Sequence, residues 1–422
     1  MRYDRRDFLG LASALVATSG SVPTFLARTA CAAAQQGAKN DNVLVVLQLT
    51  GGNDGLNTVV PFTDDHYRRL RPTLHLADAK LHKLDDRLGL HPSLGGLARL
   101  WEKEQLAIIQ GVGYPNPNRS HFESMAIWHT APDDAQLEHG RATGAQGGWL
   151  ARAIDQRSSA AEQSRAAAAL RIGVGEMPRA LLGSRVQVPS LADLEQLKRR
   201  TGLLDASSVQ TQLASWQSPV GEPASALLAA ARSSTIAVQA TAEQIAKIGV
   251  DDSGSRNYPN TDLAKRLRSI AQLVQAGFPA PIYFTELSGF DTHGRQANTH
   301  ASLLEKTGNA LRAFLEDMLE KVSSRPVLVL VFSEFGRRVE ENASLGTDHG
   351  TAAPVFLAGS RVVKGVHGPY PDLANLVDGD PTFAVDFRAV YATIIENWLG
   401  LPSEPILGKR FDNLNVLKSR TA

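Results

Sequence analysis

Val327 to Phe332 is an unbroken run of six apolar residues that stops at Ser333-Glu334-Phe335-Gly336. A run this short, with no polar alternation, predicts a strand covered on both faces, the mark of a parallel sheet with helices on either side. The pattern recurs along the chain. Val43 to Leu47 precedes Gly51-Gly52-Asn53-Asp54, and Pro281 to Leu287 precedes Ser288-Gly289-Phe290-Asp291-Thr292-His293. A further apolar strand, Pro354 to Ala358, follows directly after a polar loop carrying Asp348 and His349. Strands running the same way share a carboxyl-terminal edge, where open α/β sheets bind ligands. Asp54, Asp291 with His293, Glu334, and Asp348 with His349 are therefore expected to converge. Carboxylates mixed with imidazoles suit Zn, Mn or Fe, whereas carboxylates alone would suit Mg or Ca.

Each of these residues also has a plainer role available, as an Asx-turn residue or a helix cap. What favours a site is that all of them stand beside the ends of predicted strands. Ser120 illustrates the choice. It follows the short strand Gln105 to Gly111 and the loop Tyr114-Pro115-Asn116-Pro117-Asn118, and with Glu123 it has the spacing of a capping box, so a helix is expected to start there. A hydroxyl at a helix N-terminus can equally face a bound anion or act as a nucleophile. His121 and His129 read as packed or surface histidines.

Other helices are expected over Trp149 to Gln156, Asp262 to Ala276, Asn298 to Val322 and Asp386 to Leu399, the last with Asp386 as N-cap and Gly400 as its stop. Gly365 to Pro371 reads as a hairpin-like turn. Residues 157–260 are polar and alanine-rich, without clusters of acids and histidines; Leu170 to Gly175 reads as a strand and Val186 to Leu191 as an extended segment, and the region as a whole is expected to form a helical insertion or cap on a single α/β domain spanning 35–422.

The N-terminus reads as an address rather than as fold. Asp4-Arg5-Arg6-Asp7-Phe8-Leu9 places a twin arginine before a moderately apolar stretch, and Ala30-Cys31-Ala32-Ala33-Ala34 offers a small-residue cleavage site, so residues 1–34 are expected to be a twin-arginine signal peptide. Its removal turns a formal net charge of +1 into −1 and takes away Cys31, the single cysteine, leaving no disulfide. A near-neutral charge excludes the basic field of a nucleic-acid binder. No other apolar run is long enough to span a bilayer. Nor does the chain carry G-x-S-x-G, a P-loop or H-E-x-x-H, and Gly111-Val112-Gly113 lacks the third glycine of a dinucleotide fingerprint.

Five motifs in order, L-T-G-G-N-D-G-L-N-T (49–58), R-S-H-F-E-S-M (119–125), G-F-D-T-H-G (289–294), F-S-E-F-G-R (332–337) and T-D-H-G-T-A-A-P-V-F-L-A-G (347–359), resemble the twin-arginine-exported bacterial DUF1501 family. That family is similar in fold to the alkaline phosphatase and sulfatase superfamily. The resemblance implies an alkaline-phosphatase-like, mostly parallel sheet flanked by helices, and a metal-dependent hydrolase of phosphate or related esters holding one or two divalent ions (Zn, Mn or Mg/Ca). Carried over to this sequence, it makes Asp54, Asp291, His293, Glu334, Asp348 and His349 metal ligands and Ser120 the nucleophile, with Arg337 and Arg119 holding the anion. It also implies a periplasmic or extracellular location and the twin-arginine translocase as a transient partner. Two departures stand out. Phe335 replaces the histidine of an Asp-His pair, and Ser120 lacks the proline and arginine of a sulfatase motif. The alternative is an exported, non-catalytic protein on the same fold that binds a cell-envelope polymer or a protein partner.

Overall fold

The computed structural model describes residues 42–134, 137, 147–157, 168–185, 188–194, 257–320 and 325–418. The expected signal peptide and most of the 157–260 region lie outside them. A nine-stranded sheet is built from β1 (Val43–Thr50), β2 (Leu106–Gly113), β3 (Leu170–Ile172), β4 (Ser190–Leu191), β5 (Ile282–Ser288), β6 (Val327–Phe332), β9 (Ala353–Gly359), β10 (Gly365–His367) and β11 (Val385–Asp386). Two strands outside it, β7 (Arg337–Glu341) and β8 (Thr347–His349), pair with each other as an antiparallel ribbon. Across the sheet the order is β10-β2-β9-β6-β1-β5-β3-β4, with β11 also paired to β2.

Every pairing in this sheet is parallel except those of β9, which runs antiparallel to both β6 and β2. The three central strands are in close register, Val45 lying between Tyr283 and Val329. Their carboxyl ends therefore emerge side by side at Gly51, Gly289 and Ser333. Because β9 reverses direction, β2 beyond it points the same way as β6, so its own carboxyl end reaches the same edge.

Both faces of the sheet are covered, which is why β1 is apolar at consecutive positions. Val43, Val45, Leu47 and Leu49 pack with α1 (Gly95–Glu102), α4 (Asp262–Gln275) and α5 (Gln296–Glu320). Leu44 and Val46 face the opposite way, toward α2 (His121–Thr130), α3 (Trp149–Arg157) and α6 (Phe387–Thr393). Trp128 is the keystone of that second layer, stacked between Phe332 at 5.1 Å and Phe387 at 4.6 Å. Among the described residues no helix is long and apolar enough to cross a membrane.

The mostly parallel α/β sheet flanked by helices is as expected, and the caps follow the sequence closely. Asp386 accepts from the backbone N–H of Arg388, and the helix it opens runs on through a wider turn, Ile394–Leu399, to Gly400 at φ 69°. Three details differ. Gly365–His367 is a parallel edge strand rather than a hairpin turn. The extended segments expected over Leu170 to Gly175 and Val186 to Leu191 form strands at Leu170–Ile172 and Ser190–Leu191, but these extend the main sheet rather than belong to an insertion or cap on it. The polar loop expected between Glu334 and Asp348 is instead the β7–β8 ribbon.

Candidate metal centre

Four segments meet at the carboxyl edge of the sheet: the turn after β5 brings Asp291 and His293, the first turn of α2 brings His121, the end of β8 brings His349, and the tip of β6 brings Glu334. Ligand atoms of His121, Asp291 and His349 lie within 4.8 Å of one another. The Nε2 atoms of His349 and His293 are each 3.0 Å from Asp291 Oδ1 and 2.9 Å from each other. His121 Nε2 is 3.5 Å from Asp291 Oδ2.

The opposite nitrogen of each ring is tied to an oxygen. His121 Nδ1 lies 2.8 Å from Glu334 Oε1, His349 Nδ1 lies 2.8 Å from the Arg119 carbonyl, and His293 Nδ1 lies 3.2 Å from Asp348 Oδ1. A carbonyl or an ionised carboxylate can only accept, so each Nδ1 must donate, which leaves the Nε2 lone pair of a neutral ring facing Asp291. Two such lone pairs 2.9 Å apart repel unless a cation or a proton sits among them. His121 Nε2 is moreover buried with no hydrogen-bond partner. Orienting contacts of this kind, from carboxylates and a carbonyl to the far side of each imidazole, are those that fix metal-binding histidines. Spacings of 2.9–3.5 Å also match the edges of a small coordination polyhedron with metal–nitrogen bonds of about 2.0–2.1 Å. His121, Asp291 and His349 thus fit a metal ion, two imidazoles and a carboxylate, and His293 Nε2 stands beside the last two.

Electrostatics keep Asp291 in its charged form. Burial alone would raise the Asp291 carboxyl, but its contacts with His349 and Arg337, and the Arg337 charge, bring it down to about 2. The hydrogen bond to Glu334 raises His121 above the ordinary histidine range, against the effect of burial.

The structure distributes the expected site residues unequally. Asp291, His293 and His349 face the centre together. Glu334 and Asp348 stand one layer back, behind His121 and His293. The Glu334 carboxylate is wholly buried and also accepts from the Gly51 N–H at 2.8 Å and from the Ser333 hydroxyl at 3.1 Å. Asp54 lies outside the group. Its buried carboxylate pairs with Arg71 Nη1 at 2.6 Å, accepts from Gln296, and caps the turn Gly55–Thr58 through the Asn57 N–H. Arg337 is buried and spends its N–H groups on the carbonyls of Gly51, Gly52, Phe290 and Thr347 and on Asp291, so it fixes the floor rather than reaching for an anion. Arg119 pairs with Asp380. Ser120 holds the N-cap position of α2 next to His121, but its exposed hydroxyl makes no cap hydrogen bond. Phe335 packs against two of the histidines, 5.0 Å from the His121 ring and 4.7 Å from that of His349.

His121 is the member that sequence reasoning passed over. The signal was the one noticed for Ser120, a helix start after a strand, and that start presents the next residue as well. His129, on the same helix, is packed as expected, with Nε2 2.6 Å from Gln48 Oε1.

A family profile described as "Protein of unknown function (DUF1501)" matches residues 41–404. The chain belongs to the DUF1501 family. A comparison with curated protein sequences found no significant match. Among solved structures, this DUF1501 protein is similar to the C-terminal periplasmic domain of EcEptC from Escherichia coli in complex with Zn, at 8% identity and a TM-score of 0.37, covering 77% of this chain and 74% of that one. It is similar also to the soluble domain of lipooligosaccharide phosphoethanolamine transferase A from Neisseria meningitidis, at 11% identity and a TM-score of 0.36, covering 77% and 78%. Alkaline phosphatase from the Antarctic bacterium TAB5 is similar at 9% identity and a TM-score of 0.33, covering 76% and 92%.

Proposed function

We propose that His121, Asp291, His293 and His349 hold a divalent metal, and that the protein is an exported metal-dependent hydrolase of phosphate or related esters. The observation that carries this is the convergence of three Nε2 atoms on Asp291, with each Nδ1 committed to an oxygen acceptor behind it. Three imidazoles and a carboxylate suit Zn, Mn or Fe better than Mg or Ca. When bound, such an ion polarises an ester oxygen and lowers the pKa of a water. Glu334, Asp348 and the Arg119 carbonyl orient the three rings, and Arg337 holds Asp291 ionised. The exposed Ser120 hydroxyl, adjacent to His121, is the candidate nucleophile. Export by the twin-arginine route, to the periplasm or beyond, is part of the proposal and rests on residues 1–34.

The test uses the full chain purified with Zn or Mn supplied, with metal analysis and assays on aryl phosphates, phosphodiesters and aryl sulfates. Bound metal and turnover of at least one class are expected, both lost in His349→Ala. A folded protein that takes up no metal, or is inert to all three classes, overturns the proposal.

A second reading is favoured by one observation. Arg337 and Arg119, the side chains expected to grip an anion, are both engaged elsewhere. That suits an exported binding protein with a structural metal, bound to a cell-envelope polymer or a protein. Metal retained with no turnover, and polymer or partner binding unchanged by His349→Ala, would support it.

A further inference from the structure

The three rings of the centre are not supported alike. His121 and His349 rest on acceptors fixed in the body of the fold, the wholly buried Glu334 carboxylate and the Arg119 carbonyl, each at 2.8 Å. His293 rests on Asp348 at 3.2 Å, and these two side chains are 44% and 56% exposed. A contact between two exposed side chains holds little geometry by itself, so Asp348 needs a support of its own. Asn342, the residue after β7, supplies it. Its Nδ2 donates to Asp348 Oδ1 and to the His293 carbonyl, both at 3.0 Å. Its Oδ1 accepts from the N–H groups of Ser344 at 2.9 Å and Gly346 at 3.1 Å. An amide has two N–H groups and two lone pairs, so all are used, and the two backbone donors fix which end is the oxygen. The same turn is pinned to the start of α5, where the N–H groups of Arg295 and Gln296 donate to the carbonyls of Ser344 and Leu345, each at 2.9 Å. Asn342 thus ties the segment carrying His293 to the ribbon carrying Asp348 and His349.

We propose that Asn342 is a positioning residue of the metal centre: by holding Asp348 against His293, it brings His293 Nε2 in as the donor that joins His121, Asp291 and His349. This inference rests on the proposed metal centre. The chemistry of the position calls for an amide. A carboxylate there would have no N–H for Asp348 or for the His293 carbonyl, and a serine would keep an acceptor for the turn without the reach to bridge both segments. Its effect falls on one donor and not on the centre as a whole, because His121 and His349 keep their own supports.

The test measures zinc affinity of the full chain by competition with a chromogenic chelator, and stability of the metal-free protein by urea denaturation. Asn342→Ser keeps a hydroxyl acceptor for the Ser344 N–H and drops both Nδ2 bonds. It should weaken zinc binding about tenfold while the urea midpoint of the metal-free protein moves little. In a His293→Ala background, which lacks the ring that Asn342 serves, the same change should cost no more than about twofold. Zinc affinity unchanged by Asn342→Ser or by His293→Ala overturns the inference. So does an undiminished loss in the His293→Ala background, and so does an Asn342→Ser protein that is unfolded without metal, since either makes Asn342 a residue of the turn alone. Wild-type protein that binds no zinc overturns it too, and only that result also counts against the metal centre.

Discussion

At the scale of single residues, the division between groups that face the centre and groups that stand behind it makes a graded prediction. His121→Ala removes a donor and should abolish metal binding. Glu334→Gln and Asp348→Asn leave every donor in place and loosen only its orientation, so metal affinity should fall by about 10–100-fold. Competition titration with a chromogenic chelator separates the two outcomes. Asp54 belongs to a different experiment. With Arg71 it forms a wholly buried ion pair, and removing one partner of such a pair costs about 3–5 kcal/mol. Arg71→Met should lower stability on that scale in urea denaturation while the surviving folded protein still binds metal. Equal loss of metal affinity and stability would place Asp54 in the centre after all. From sequence, Asp54 and Asp291 look alike, since both are acids just past a strand. What separates them is Arg71, 17 residues on, and no local signal shows that its guanidinium turns back to the strand end.

Elements carry the next level. The turn between β1 and Asp54 passes so close to its neighbours that Gly51 and Gly52 have no room for side chains. Gly52 has φ +74°, and a Cβ there would lie 2.4 Å from the Phe335 ring. Gly52→Ala should therefore displace Phe335 and with it the rings of His121 and His349. Stability should fall by roughly 1–3 kcal/mol, with a drop in metal affinity measurable on the same protein. The strands that support this turn were legible because burial on both faces forces consecutive apolar residues. The β7–β8 ribbon was not. Arg337-Arg338-Val339-Glu340-Glu341 is mostly charged, with Val339 as its one fully buried apolar side chain, and its strand geometry comes from pairing across a turn rather than from a hydrophobic pattern. The direction of β9 was hidden for a related reason. An apolar run records that a strand is covered, not which way it runs.

For the whole molecule, the interior histidines set a pH limit. Burial lowers His91 to about 4, His129 to about 3 and His300 to about 4, from an ordinary 6.5. Folding thus favours the neutral rings, and the unfolded chain takes up protons first as pH falls. The stabilisation is complete above about pH 6.5 and is lost as pH drops toward 4, by something on the order of 3 kcal/mol per histidine. Denaturation midpoints should accordingly be flat from pH 7 to 8 and fall steeply from 6 to 4, and His129→Gln should flatten part of that slope. A midpoint that rises on acidification would contradict the burial of these rings.

The histidine centre also has an unusual relation to chain order. Its members come from positions 121, 291, 293 and 349, the widest gap between consecutive members spanning 170 residues. No fragment shorter than the segment from the start of α2 to the end of β8 contains them all, and their mutual distances are set by strands that must already be paired. A nascent or partly folded chain offers no such centre, only scattered imidazoles of ordinary affinity. Ion capture is then a late event that reports completed assembly, and the bound ion would act as a latch on the finished sheet.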